Sequence, residues 1–72
     1  MKTDALVQFG QRVRQLRVER GLSQEDLAEL ADLHRNYVSQ IEGGRRNLSL
    51  LNILKLAKGL KVRPTKLIET IR

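Results

Sequence analysis

Apolar residues in this chain recur three and four positions apart and nowhere alternate with polar ones for long enough to make a strand. Nor does any Asn-Gly or Asp-Gly pair offer a hairpin turn. The chain therefore reads as all-helical. Its 72 residues leave room for one small domain, residues 1–72, since a second core could not be built from the remainder. The apolar stock is 13 Leu, 5 Val and 4 Ile, with Phe9 and Tyr37 the only aromatics, so the core is modest and a partner would help to stabilise it. Cysteine is absent, which removes disulfides, thiolate metal sites and cysteine nucleophiles. Repeats, linkers and low-complexity segments are absent too.

The expected helices follow from periodicity and punctuation. The first runs from Asp4, read as its N-cap, to Arg20, with Leu6, Phe9, Val13 and Leu16 on one face, and stops at Gly21. Ser23 and Asp26 resemble a capping box that opens a second helix ending near Asp32. There Leu27, Ala28, Leu30 and Ala31 share one arc and Glu25, Asp26, Glu29 and Asp32 the opposite one. A third helix is expected from His34 to Glu42. Tyr37, Val38 and Ile41 face inward on it, while Arg35, Asn36, Ser39 and Gln40 form an outward arc without an acid. Gly43-Gly44 ends it, and Arg45-Arg46-Asn47 makes a basic loop. The fourth opens at Ser49 with Leu50, Ile53, Leu54, Ala57 and Leu60 inward; the fifth starts near Pro64 and includes Leu67, Ile68 and Ile71.

The net charge of +6 suits a polyanionic partner, but it is unevenly spread. Residues 1–20 carry +3, residues 21–42 carry −4 and residues 43–72 carry +7. An acidic middle between basic ends requires most of that middle to face away from a polyanion.

Two short helices joined by a three- or four-residue turn, the second with a polar, acid-free outer face, form a helix-turn-helix arrangement. The segment Gly21-Leu22-Ser23-Gln24-Glu25-Asp26-Leu27-Ala28 is followed by Leu33-His34-Arg35-Asn36-Tyr37-Val38-Ser39-Gln40-Ile41-Glu42 and then by Gly44-Arg45-Arg46-Asn47-Leu48-Ser49-Leu50. Together these resemble the phage repressor and Cro-like (XRE) family over nearly the whole chain. His34-Arg35-Asn36-Tyr37 and Arg46-Asn47-Leu48-Ser49-Leu50 are most similar to the small controller proteins of restriction–modification systems. The resemblance implies a five-helix DNA-binding domain whose third helix enters the major groove of double-stranded DNA. Arg35 would pair with guanine, Asn36 or Gln40 with adenine, and Ser39 would read a base edge or a thymine methyl. Gln24, His34, Tyr37, Arg45, Arg46 and Asn47 would meet phosphates, and Arg17 and Glu42 would form a structural ion pair.

Each assignment has a plainer counterpart. Asn36 and Gln40 could be solvated or contact phosphate, Ser39 is weaker still, and His34 could simply start its helix. Tyr37 could cover the core, and the acids of the second helix could serve solubility alone or, at Glu25 and Glu29, touch RNA polymerase. One histidine, no cysteine and no Gly-rich phosphate loop leave no enzyme reading and no implied cofactor or metal. No apolar run reaches the roughly 18 residues of a membrane span, and Met1-Lys2-Thr3-Asp4 does not open a signal segment, so a cytoplasmic protein is expected. Membrane-surface binding is disfavoured because the basic groups are not gathered on one amphipathic helix.

One such motif reads few base pairs, so a homodimer on paired half-sites is expected, with Leu51, Leu56, Ile68 and Ile71 as its interface unless some of them finish the core. With no second domain for an inducer, concentration would govern occupancy, which suits autoregulation. A DNA-binding antitoxin that holds a toxin with helices 4 and 5 is the alternative.

Overall fold

Residues 4–72, the part that the computed structural model describes, contain five helices and no strand. They are α1 (Asp4–Glu19), α2 (Gln24–Ala31), α3 (Arg35–Glu42), α4 (Leu50–Leu60) and α5 (Pro64–Ile68). Met1-Lys2-Thr3, part of the segment read as lacking a signal sequence, lies outside the described residues.

Local chemistry sets most boundaries. Gly21 leaves α1 in the left-handed conformation, at φ 69°, where glycine meets no Cβ penalty. Ser23 Oγ then accepts from the Asp26 N–H at 2.9 Å while Asp26 Oδ2 accepts from the Ser23 N–H at 3.0 Å, the reciprocal capping box. At the far end of α2, Asp32 takes the left-handed conformation and Leu33 N–H donates back to the Ala28 carbonyl at 2.8 Å. Only Asp32, Leu33 and His34 separate α2 from α3. Ser49 caps α4 by accepting from the Asn52 N–H, and Pro64 occupies the first turn of α5, where its missing donor costs nothing.

The core draws on every helix: Phe9, Val13 and Leu16 from α1, Leu27, Ala28 and Ala31 from α2, Val38 and Ile41 from α3, Leu56, Ala57 and Leu60 from α4, and Leu67 from α5. Each fully buried leucine contributes about 2 kcal/mol by leaving water. Two glycines let helices approach closely. A Cβ on Gly10 would press into the backbone carbonyls of Ile41 and Glu42, so α1 crosses the end of α3 at that point; Gly59 of α4 rests on Ala31 of α2 in the same way.

Several expectations need correction. Asp4 is already helical rather than a cap. Leu30 sits at the edge of the α2 apolar face and is half exposed. On α4 Ala57 and Leu60 are buried and Ile53 packs against the core as expected, but Leu50 and Leu54 are 73% and 43% exposed, whereas Leu56, expected at a dimer interface, is fully buried. Leu56 finishes the protomer core and is unavailable to a partner. Ile71 lies beyond the end of α5, partly buried against the core, while Leu51 and Ile68 are exposed.

Candidate nucleic-acid interface

The outer face of α3 carries Arg35 and Asn36 exposed and Ser39 and Gln40 partly covered. His34 is the N-cap of α3, and its Nδ1 accepts from the Asn36 N–H at 3.2 Å. That use is local, and it leaves Nε2 as the ring atom open to an outside partner. The positive end of the α3 dipole coincides with Arg35 and Asn36, so cation and helix terminus reinforce each other toward an anion.

Around this face, the residues expected to serve the site are tied together. Arg17 and Glu42 form a two-pronged ion pair between α1 and the end of α3, both side chains largely buried. Glu42 Oε1 also accepts from Gln24 Nε2 at 3.1 Å, which anchors the Gln24 amide while leaving its second N–H free. On the other flank Arg46 Nε donates to Gln40 Oε1 at 2.7 Å, and the Arg46 guanidinium lies over the Tyr37 ring, 5.0 Å from its centroid. Arg45 and Asn47 are exposed in the same loop.

Two features departed from the sequence reading. Glu25 does not face away from the α3 surface, because its Oε2 lies 3.5 Å from Arg35 NH1. Both groups are well exposed, so the pair is worth at most about 1 kcal/mol and holds Arg35 only loosely. Asn52, in the first turn of α4, was missed: its Nδ2 donates to the Tyr37 hydroxyl at 2.9 Å, which puts it at the margin of the basic loop. The available signal was its place three residues after the Ser49 cap, directly behind Arg46-Asn47.

Asp26 is held below the ordinary carboxylate range, first by the Ser23 N–H and second by the Ser23 hydroxyl, so this acid serves the α2 cap. Asp32 stands near Lys55 at 4.0 Å, whereas Glu29 is exposed. Away from the α3 face, Leu50, Leu51 and Leu54 of α4 and Ile68 of α5 are large apolar side chains in solvent. Among the described residues no helix is long and apolar enough to cross a membrane, and no cluster of three His, Asp or Glu stands together as a metal site.

Known proteins share this fold. The sequence model of the Helix-turn-helix family matches residues 13–67. Control protein C.BamHI of Bacillus amyloliquefaciens is 53% identical over 62 residues, spanning 85% of this chain and 76% of that protein. Control protein C.MunI of Mycoplasma sp is 42% identical over 69 residues, 94% of this chain and 93% of that protein. The crystal structure of the restriction-modification controller protein C.AhdI from Aeromonas hydrophila superimposes with a TM-score of 0.85 at 58% identity, covering 86% of this chain and 94% of that one.

Proposed function

The chain belongs to the helix-turn-helix family, and from that membership we propose that it is a sequence-specific double-stranded DNA-binding transcriptional regulator of the restriction–modification controller type, with no enzymatic activity. The observation that carries this reading is the acid-free outer face of α3, flanked by anchored polar and basic side chains. Arg35, Asn36, Ser39 and Gln40 read bases in the major groove. Gln24, His34, Tyr37, Arg45, Arg46 and Asn47 contact phosphates, and Asn52 joins them through Tyr37. Arg17 and Glu42 fix the angle of α3.

Residues 1–72 act as one domain and as a homodimer on paired half-sites, working in the cytoplasm and controlling their own operon. The dimer face is built from Leu50, Leu51 and Leu54 with Ile68, because these apolar groups are otherwise left in water, and the partly buried Ile71 stands at its rim. Glu29, with Glu25 beside it, offers RNA polymerase an acidic contact next to the bound DNA. Charge reversal at Glu29 that leaves DNA binding intact yet removes activation supports that contact; unchanged activation removes it.

Selection of bound DNA from a random pool tests the main reading. A two-fold symmetric pair of related half-sites is expected. Enrichment of no sequence at all overturns it.

A further inference from the structure

Arg46 links the basic loop to the reading helix through a bond whose chemistry has one direction. The guanidinium carries donors only, so the Gln40 atom lying 2.7 Å from Arg46 Nε has to be the carbonyl oxygen. The amide cannot turn over without losing that bond and setting its own N–H groups against a cation. The Tyr37 ring beneath the guanidinium keeps Arg46 in place. Neither contact consumes NH1 or NH2, which stay free for a phosphate.

We infer that Arg46 is a specificity-determining positioning residue: by holding Oε1 of Gln40, it fixes that side chain as a hydrogen-bond donor, so the base opposite Nε2 must present an acceptor. This inference rests on the reading of Gln40 as a base contact given above. Major-groove acceptors are guanine O6 and N7, adenine N7 and thymine O4, whereas the adenine and cytosine amino groups are donors. A freely turning glutamine amide exchanges donor for acceptor and tolerates either kind of group. A fixed one rejects an amino group facing its N–H. Arg46 thereby differs from a plain phosphate contact, whose loss weakens all sequences alike.

The test is a panel of duplexes bearing each base in turn at every position of the selected site, with binding measured at low salt for wild type, Arg46→Met, Gln40→Ala and the double variant. Gln40→Ala is expected to flatten preference at one position. Arg46→Met should lower the preference for acceptor over amino groups there by about five- to tenfold, and the double variant should be no flatter than Gln40→Ala. A change at one position with Gln40→Ala but a uniform loss with Arg46→Met overturns the inference while leaving base reading by Gln40 intact. No change at any position with Gln40→Ala overturns that base reading and the inference together. Nuclear magnetic resonance of the free protein adds a readout that needs no DNA. Protection of the Arg46 Nε–H that disappears in Gln40→Ala supports the coupling, and identical exchange in both proteins overturns it.

Discussion

Arg17 and Glu42 join α1 to the end of α3 through two parallel bonds, Arg17 Nε donating to Oε2 at 2.7 Å and NH2 donating to Oε1 at 3.0 Å, with the Glu42 side chain only 4% exposed. Arg17 NH1 also donates to the Leu22 carbonyl at 2.8 Å, and Glu42 Oε1 also receives Gln24. One carboxylate therefore registers three helices. Glu42→Ala leaves Arg17 uncompensated in a largely dry position and should cost about 3 kcal/mol, read as a lower urea midpoint. The double change R17M/E42L should regain most of that stability, because both desolvation penalties vanish, yet bind DNA more weakly with α3 no longer held at its angle. Affinity that returns along with stability would deny the pair any positioning role.

A second prediction concerns the helix crossing at Gly10. A Cβ there would come within 2.8 Å of the Glu42 carbonyl oxygen and closer still to that of Ile41, both backbone atoms that cannot swing aside. Gly10→Ala should therefore cost roughly 3 kcal/mol, the upper range for overpacking. Gly21→Ala, with open space but φ 69°, should cost only about 1 kcal/mol. Equal melting temperatures for the two variants would mean that α1 and α3 do not approach this closely.

These residues also show where the sequence was and was not readable. In α1 the apolar positions Phe9, Val13 and Leu16 are sparse, so one phase alone places them together, and they are buried. In α4, Leu50, Leu51, Ile53, Leu54, Leu56 and Leu60 cover most of the helix circumference, and periodicity has no phase to offer. The close seat of Gly59 on Ala31 selects the buried side, a tertiary fact invisible along one helix. The chemistry of the α3 face was legible from residue types, and the Ser23 capping box from spacing. The Glu25–Arg35 and Asn52–Tyr37 contacts were not, since each crosses between elements whose mutual placement depends on the packed core.

Acid should weaken the fold through Asp26. Its folded carboxyl is held below the ordinary value near 3.8 by the Ser23 N–H and hydroxyl, so the group favours the folded state once pH exceeds that unfolded value. As pH falls from there through the lower folded value, the contribution disappears. Asp26→Asn should be less stable than wild type at pH 6, and the gap should narrow below about pH 3.5. Stability curves measured by urea denaturation that stay parallel from pH 6 to pH 3 would show that the cap carboxylate is not the titrating group.

Arg35 should separate base reading from general affinity. Its loose pairing with Glu25 at 3.5 Å is weak enough for a guanine edge to displace it. Arg35→Ala should therefore lose about 1–3 kcal/mol on the selected site and relax preference at one base pair, with little change on random DNA. Competition titrations across single-base variants measure this. Equal losses on specific and random DNA would assign Arg35 to the phosphate backbone instead.

The contrast between exposed and buried leucines on α4 separates assembly from folding. Leu51 is 62% exposed and Leu56, on the same helix, is fully buried. A charge at Leu51 meets water in the free protomer and costs little there, but in a dimer joined by Leu50, Leu51, Leu54 and Ile68 it would be desolvated without a partner. Leu51→Glu should therefore keep its helical circular dichroism and sediment as a monomer at micromolar concentration, with weakened binding to paired half-sites. Leu56→Glu should fail to fold, because the same charge would enter the core. If Leu51→Glu still sediments as a dimer, the protomers meet through another face. If the unaltered chain sediments as a monomer and does not pair on DNA, the apolar side chains of α4 and α5 serve some partner other than a second copy.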